Sequence, residues 1–338
     1  MNDERIQKDA STSQRRCGGQ CKRCTCKKED QPERSARELS AVAAAMIWLL
    51  VFCGAAWGEG RPGLLIIAHG SPRASWNQRV SELEQGVRTA FGDNNPYVAT
   101  KVVFMEFAEP NLANGLESLQ SEGCDRIVAV PLLIAPSSHS HWDIPALLGI
   151  YSDPKIEAAL REEGARLVRP RVSVTLTTTL AESDVIERIL LKRVKQLSKD
   201  PAHEAVVLLA HGSEAIPPAW DRFLQRALTY ICGQTGISYG DWATVAVGQE
   251  YERAVTVIQR AARTRRRVIV VGAYLSLGVK RMHDRWSARR AGEGTERAAT
   301  ENPLQGLDIE FAEQGLLPDP MVAEWIVQTA RAAVQARP

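Results

Sequence analysis

Residues 64–71, LLIIAHGS, decide the fold, because nearly the same pattern returns at residues 206–213 as VVLLAHGS. Each copy is an apolar run without a charge that ends in histidine, glycine and serine. Such uninterrupted apolar runs predict strands that are buried on both faces of a parallel sheet. His69 and His211 stand 142 positions apart (211 − 69), so the repeat indicates an internal duplication of a whole lobe.

Apolar runs and helical periodicities alternate through both copies and predict the same order of elements in each. The predicted strands are residues 64–68, 97–104, 126–134 and 172–176, then 205–210, 244–247, 267–272 and 307–311. The predicted helices are residues 76–91, 111–122, 154–163 and 183–197, then 220–232, 253–262 and 320–333. This alternation favours parallel sheets with right-handed crossovers. We therefore predict an α/β protein with two similar lobes, residues 63–200 and 201–335, each a parallel sheet flanked by helices.

The first 58 residues have a different composition from the lobes. Residues 1–38 form a polar, basic tail, which contains four close cysteines: Cys17, Cys21, Cys24 and Cys26. Thiolates suit zinc or an iron–sulfur cluster, but this spacing is not that of a zinc ribbon, so we favour a tail without metal. Residues 39–58 carry no charge, and as a helix they would span about 30 Å, the thickness of a bilayer core. They predict a transmembrane anchor or an export signal.

Composition excludes several classes of protein. The 338 residues carry a net charge of only +2, so the chain is not expected to bind nucleic acid. With 44% hydrophobic and 24% charged residues, the composition is that of a globular protein. Because two lobes in one chain can form a cleft between them, we expect a monomer. Residues 39–58 predict that it is membrane-anchored or exported; it would be cytoplasmic if the start were misassigned.

Two further motifs follow predicted strands of the first lobe. FMEFAEP at residues 104–110 comes after the second strand, and VPLLIAPSSHSHWDIP at residues 130–145 belongs to the third. Because ligands of open α/β sheets bind beyond the carboxyl ends of the strands, we expect His69, Glu106 and His139 to converge. Imidazole and carboxylate groups bind divalent transition metals and accept protons near neutral pH.

Each of these residues also has a structural interpretation. His69 could belong to a turn in which Ser71 caps the next helix, and Glu106 could lie in an acidic loop. Asp143 is predicted to cap a helix that begins at Ile144 and Pro145, since proline is favoured in a first turn. A hydrolase with Ser71 as nucleophile is disfavoured, because no GxSxG motif surrounds this serine.

The three motifs in this order resemble the CbiX-type sirohydrochlorin chelatases, class II tetrapyrrole chelatases that are related in fold to ferrochelatase. The resemblance covers about residues 63–335, and the duplication is similar to the long, two-lobed members. It implies insertion of Co²⁺, Fe²⁺ or Ni²⁺ into sirohydrochlorin, in cobalamin or sirohaem formation, without ATP and with no cofactor beyond the substrate metal. It also implies that His69, Glu106 and His139 hold the metal and accept the protons.

The second lobe departs from this pattern. Lys280 stands where the first lobe has His139, and His283 stands where it has Trp142. The resemblance therefore implies an active first lobe and a degenerate site in the second, while a second metal site through His211 and His283 stays open.

Sirohydrochlorin is ringed by carboxylates, which favours cationic and hydroxyl partners. The candidate substrate-binding residues are Ser71, Arg73, Ser138, His141, Lys280 and Arg281. Arg289 and Arg290 are predicted to lie in a solvated charged loop. The alternative function is an exported protein that binds metal or tetrapyrrole without turnover.

Overall fold

A computed structural model describes residues 60–246, 251–292 and 302–336, which form two four-stranded parallel sheets. The strands of the first sheet are β1 (Pro62–Ala68), β2 (Ala99–Phe104), β3 (Arg126–Pro131) and β4 (Ser173–Leu176). Those of the second are β5 (Glu204–Ala210), β6 (Tyr239–Thr244), β7 (Arg267–Ala273) and β8 (Asp308–Phe311). The orders β2-β1-β3-β4 and β6-β5-β7-β8 are equivalent, and all the pairings are parallel. The predicted α/β architecture of two similar lobes is confirmed.

Helices cover the sheets on both faces. In the first lobe they are α1 (Ala74–Ser81), α2 (Leu83–Phe91), α3 (Leu112–Ser121), α4 (Ile144–Leu147), α5 (Pro154–Glu162) and α6 (Val185–Leu197). In the second they are α7 (Pro217–Thr235), α8 (Glu252–Thr264), α9 (Val279–Gly292) and α10 (Pro320–Gln335). Every residue of β1 and β5 is buried, because these apolar strands lie inside their sheets with helices on either side.

The last helix of each lobe packs on the other lobe. Helix α6 contacts β7 of the second sheet, and α10 contacts β3 and α2 of the first. The Tyr97 hydroxyl donates a 2.7 Å hydrogen bond to the Ala330 carbonyl, and Lys192 pairs with the buried carboxylate of Asp319 at 2.7 Å. This exchange of helices joins the two lobes through a shared hydrophobic core, which fixes the cleft between the sheets.

Three sequence predictions about the elements were wrong. The strand predicted at residues 244–247 is β6, which lies earlier because residues 239–244 pair with β5 along the sheet edge. The third strand ends at Pro131 rather than at residue 134. The segment with Arg289 and Arg290 is not a loop: it belongs to α9, which buries Val279, Met282 and Trp286 on one helical face.

Some predictions fall on residues that the structure does not describe. The basic tail with its four cysteines and the apolar segment 39–58 both lie outside the described residues, so the anchor or export signal stays a prediction. Over residues 60–246, 251–292 and 302–336, none of the helices combines the length and the apolar character that crossing a bilayer requires.

Candidate active site

A cavity of about 790 Å³ lies at the carboxyl ends of the strands of both sheets. Its walls are the segments that follow the two central strands of each sheet: residues 69–71 and 132–139 of the first lobe, and residues 211–215 and 274–277 of the second. Two hydrogen bonds cross between the lobes beside it, from Arg79 to the Ser276 carbonyl (3.0 Å) and from Trp220 to the Pro136 carbonyl (3.2 Å). The duplicated fold therefore encloses one shared cavity.

The loops after β1 and β2 bring His69 and Glu106 together. The backbone N–H of Glu106 donates to the His69 carbonyl at 2.9 Å, and Nε2 of His69 lies 3.9 Å from Oε1 of Glu106. Between them, Gly70 adopts φ +94°, and a Cβ atom there would lie 1.8 Å from the Glu106 carbonyl oxygen. Only glycine permits this approach of the two loops.

His139 lies in a π-helical turn, His139–Asp143, directly before α4. Its Nδ1 lies 2.7 Å from Oδ2 of Asp143, and its ring centroid is 4.7 Å from that of His69. The prediction that Asp143 caps α4 was wrong, because its carboxylate bonds the imidazole and makes no cap. This hydrogen bond raises the pKa of His139, against the opposite effect of burial.

The hydrogen bonds of both histidines fix which ring nitrogen carries the proton. His69 Nδ1 lies 3.1 Å from the Gly70 carbonyl, and His139 Nδ1 bonds the Asp143 carboxylate. Both partners accept, so each Nδ1 donates and each neutral ring keeps its lone pair on Nε2. Among residues 60–246, 251–292 and 302–336, no group of three or more His, Cys, Asp or Glu side chains is gathered closely enough to hold a metal ion.

The other predicted site residues divide into two groups. Ser71, Arg73, Ser138 and Arg281 line the cavity. Ser71 does not cap a helix, since its hydroxyl accepts from the Arg73 backbone at 3.2 Å and α1 begins only at Ala74.

His141 and Lys280 are not brought into the cavity wall. His141 is exposed, and its ring bonds the Ser137 carbonyl and the Ser140 hydroxyl. Lys280 pairs with Asp284 at 2.9 Å.

The cavity carries more positive charge than the sequence analysis assigned to it. Arg79 and Arg253 line it in addition to Arg73 and Arg281. Burial lowers the pKa of Arg285, and the neighbouring charges of Arg73 and Arg281 add to this effect, so cations of both lobes lie close together. In the part of the chain that the structure describes, no carboxylate forms an ion pair with Arg73 or Arg281.

Phe107 is a second feature that the sequence analysis missed. Its φ is +62°, an unusual conformation for a bulky residue, and 60% of its surface is exposed. Its ring stacks near His69, with centroids 6.1 Å apart. A strained, exposed aromatic residue next to Glu106 is characteristic of a functional loop. No sequence pattern signals a positive φ at phenylalanine.

The sequence left open a second metal site through His211 and His283 of the second lobe. The structure gives these two histidines different surroundings. His211 lines the cavity and bonds the Gly212 carbonyl through Nδ1 at 3.0 Å, as His69 does with Gly70. His283 stacks instead on Phe311, with centroids 4.4 Å apart, and burial lowers its pKa. Of these two histidines, only His211 is among the residues that line the cavity.

Comparison of the whole fold with solved structures identifies a chelatase-type architecture. The sirohydrochlorin chelatase SirB from Bacillus subtilis subspecies spizizenii in complex with cobalt superposes with a TM-score of 0.55 at 16% identity, over 81% of this chain and 96% of that one. SirB from Bacillus subtilis with Fe³⁺ gives a TM-score of 0.56 at 16% identity, with the same coverage. Both matches extend over the two lobes, and at this identity they show the fold.

Sequence comparison supplies the family. The CbiX family model matches residues 63–197. The sirohydrochlorin cobaltochelatase of Saccharolobus solfataricus is 31% identical over 134 residues, which are 40% of this chain and 94% of that protein. That of Methanococcus maripaludis is 30% identical over 88 residues, 26% of this chain and 58% of that protein. The chain belongs to the CbiX family, and the matched part corresponds to nearly the whole length of the Saccharolobus relative.

Proposed function

We propose that this protein is an enzyme, a chelatase that inserts a divalent metal ion into sirohydrochlorin. The observation that carries the proposal is the pair of imidazoles at one wall of the cavity, His69 and His139, whose Nε2 lone pairs stay open beside the Glu106 carboxylate. Membership in the CbiX family and relatives named sirohydrochlorin cobaltochelatase support the same activity.

The substrate metal binds to the two open Nε2 atoms. Neutral imidazole holds Co²⁺, Fe²⁺ and Ni²⁺ well but exchangeably, and an ion that must pass on to the macrocycle needs ligands of this kind. The Asp143 carboxylate orients the His139 ring and increases its basicity. The same ligands suit all three metals, so the donor set alone does not select one of them.

The macrocycle enters between the lobes, with its carboxylates towards the guanidinium groups. Arg73 approaches from the first lobe and Arg281 from the second, and arginine binds carboxylates with two parallel hydrogen bonds. Ser71 and Ser138, which also line the cavity, offer hydroxyl groups to the same substrate. When the metal enters, Glu106 accepts a proton released from a pyrrole N–H.

The test is metal insertion by the purified protein under anaerobic conditions, followed through the absorption spectrum of sirohydrochlorin with Co²⁺ or Fe²⁺. The variant is His139→Ala. The matched control is His203→Ala, which removes an exposed imidazole that bonds Asp200 at 2.8 Å and does not line the cavity. Insertion above the metal-only rate, lost in His139→Ala and kept in His203→Ala, supports the enzyme. Tight binding of tetrapyrrole or metal without acceleration would instead establish a binding protein without turnover.

A further inference from the structure

His211 is the imidazole that the second lobe contributes to the shared cavity. It follows β5 as His69 follows β1, and it lines the cavity wall. Its Nδ1 lies 3.0 Å from the Gly212 carbonyl, which only accepts, so Nδ1 carries the proton and the lone pair is on Nε2. Gly212 adopts φ +80°, and a Cβ atom there would lie 2.8 Å from Thr244 Cβ, so this turn also favours glycine.

While the metal is still held by the first-lobe histidines, the proton balance of the reaction leaves a role for a base beyond Glu106. Insertion breaks two N–H bonds, leaves both electron pairs on nitrogen and forms bonds from the metal to the pyrrole nitrogens, with no change in oxidation state. Two protons therefore need acceptors. The lone pairs of His69 and His139 hold the incoming metal, and a nitrogen that binds a metal through its lone pair does not accept a proton with it. Of these three first-lobe residues, Glu106 is left to accept one proton.

The position of His211 meets this need. It lines the cavity from the second lobe, whereas His69 and His139 line it from the first, so a macrocycle bound in this cavity is within reach of residues from both lobes. An unprotonated imidazole nitrogen accepts a proton, which is the usual role of histidine as a general base. On the first-lobe side, His69 lies 3.9 Å from Glu106, so the carboxylate stands beside the imidazoles that are proposed to hold the metal.

We propose that His211 is the second proton acceptor: it takes the N–H proton of the macrocycle that Glu106 does not take, while His69 and His139 hold the metal. This assignment rests on the proposed chelatase function. It gives the second lobe a catalytic residue, although that lobe has lost the counterpart of His139. The carboxylates of Glu214 and Asp221 also line the cavity and are the competing acceptors.

The test compares His211→Ala and His211→Gln with His203→Ala in the full chain. We expect about a 100-fold lower kcat for Co²⁺ insertion in both His211 variants, the usual contribution of a general base, with KM for sirohydrochlorin unchanged. Titration of the protein with Co²⁺, followed by the visible absorption of the bound ion, should give the same affinity as the wild type. Added imidazole, with free Co²⁺ held constant, should restore part of the rate in His211→Ala, which leaves room for it, but not in His211→Gln.

Each other result overturns the inference. A wild-type rate in both variants excludes His211 from proton transfer, and a parallel loss of Co²⁺ affinity would make it a metal ligand. A loss that imidazole does not restore, or that appears instead in Glu214→Gln or Asp221→Asn, assigns the proton to another group. The glutamine side chain can still donate to the Gly212 carbonyl, so it keeps the turn if alanine does not. Wild-type protein without insertion would remove the chelatase function itself, whereas an active wild type with unaffected variants would remove only the role of His211.

Discussion

Asp143→Asn removes the charge that holds His139 and should destabilise the fold in a pH-dependent way. Oδ2 of Asp143 lies 2.7 Å from Nδ1 of His139, and the side chains are 21% and 30% exposed. Hydrogen bonds to charged groups contribute roughly 1.5–3 kcal/mol, and partial exposure reduces this to about 1 kcal/mol. Because the bond raises the pKa of His139 above its ordinary 6.5, this stability is fully present below about pH 6.5 and is lost as pH rises through the folded-state pKa.

Urea unfolding of the wild type and of Asp143→Asn, at about pH 5.5 and at about pH 9, measures this pH-dependent loss of stability. The two pH values lie on either side of the range in which histidine titrates. We expect the free energy of unfolding of Asp143→Asn to be about 1 kcal/mol lower than that of the wild type at the lower pH, and only about a few tenths of a kcal/mol lower at the higher pH. The matched control is Asp284→Asn, which breaks the equivalent pair of the second lobe. Lys280 keeps its charge at both values, since its hydrogen bond to Asp284 raises its pKa, so that effect should not change with pH.

The variant also tests the site itself. A hydrogen-bond partner that orients a metal ligand typically contributes 10–100-fold to metal affinity, so Co²⁺ binding to Asp143→Asn should weaken by about this factor. A loss of stability that is equal at the two pH values, or larger at the higher one, would show that Asp143 does not stabilise the imidazolium. That result would refute the positioning of His139 by Asp143.

Two substitutions in the loops around His69 give further tests. Gly70→Ala should lower the free energy of unfolding in urea by about 3 kcal/mol, because its Cβ would lie 1.8 Å from the Glu106 carbonyl oxygen. The control is Gly92→Ala, which is also at positive φ but has no atom within 4 Å of the added Cβ. It should lower the free energy of unfolding by about 1 kcal/mol. Equal costs would mean that the loops move apart freely. Phe107→Gly should raise the free energy of unfolding by about 1 kcal/mol, since glycine relieves the strain at φ +62°, and should raise KM for the tetrapyrrole if the exposed ring contacts it. A less stable variant with an unchanged KM would make Phe107 a packing residue.

The strands that position the site could be predicted from apolar runs alone. β1, β3, β5 and β7 lie inside their sheets, and helices on both faces force them to be continuously apolar. β6 was misplaced because it is an edge strand: Tyr239–Thr244 contains a glycine and an aspartate and is only partly buried, so it has no apolar run. Helix α9 did carry a signal, since Val279, Met282 and Trp286 recur at helical spacing, but its many arginines favoured a loop.

The part of the candidate site that follows directly from the ends of the strands could be predicted from the sequence. His69, Glu106 and His139 converge because the loops after three adjacent strands share one edge of the sheet. The contact between Asp143 and His139 could also have been predicted, since residues four apart face each other on a helical turn. The preference of aspartate for helix N-termini favoured a capping role for Asp143 instead. The backbone of Phe107 and the juxtaposition of Arg73 with Arg281 depend on tertiary packing, which no local pattern reports.

The duplication shows how the two lobes differ at the position where the proposed function places a metal ligand. In both lobes a basic side chain pairs with an aspartate four residues later, His139 with Asp143 and Lys280 with Asp284. The pair is present in both lobes, but a protonated lysine has no lone pair to offer, so Lys280 cannot take the metal-binding role that is proposed for His139. His283 cannot replace it, because it is stacked on Phe311 outside the cavity wall. On the proposed function, the second lobe therefore contributes cationic side chains such as Arg281 to the binding of an anionic macrocycle, and the first lobe holds the metal.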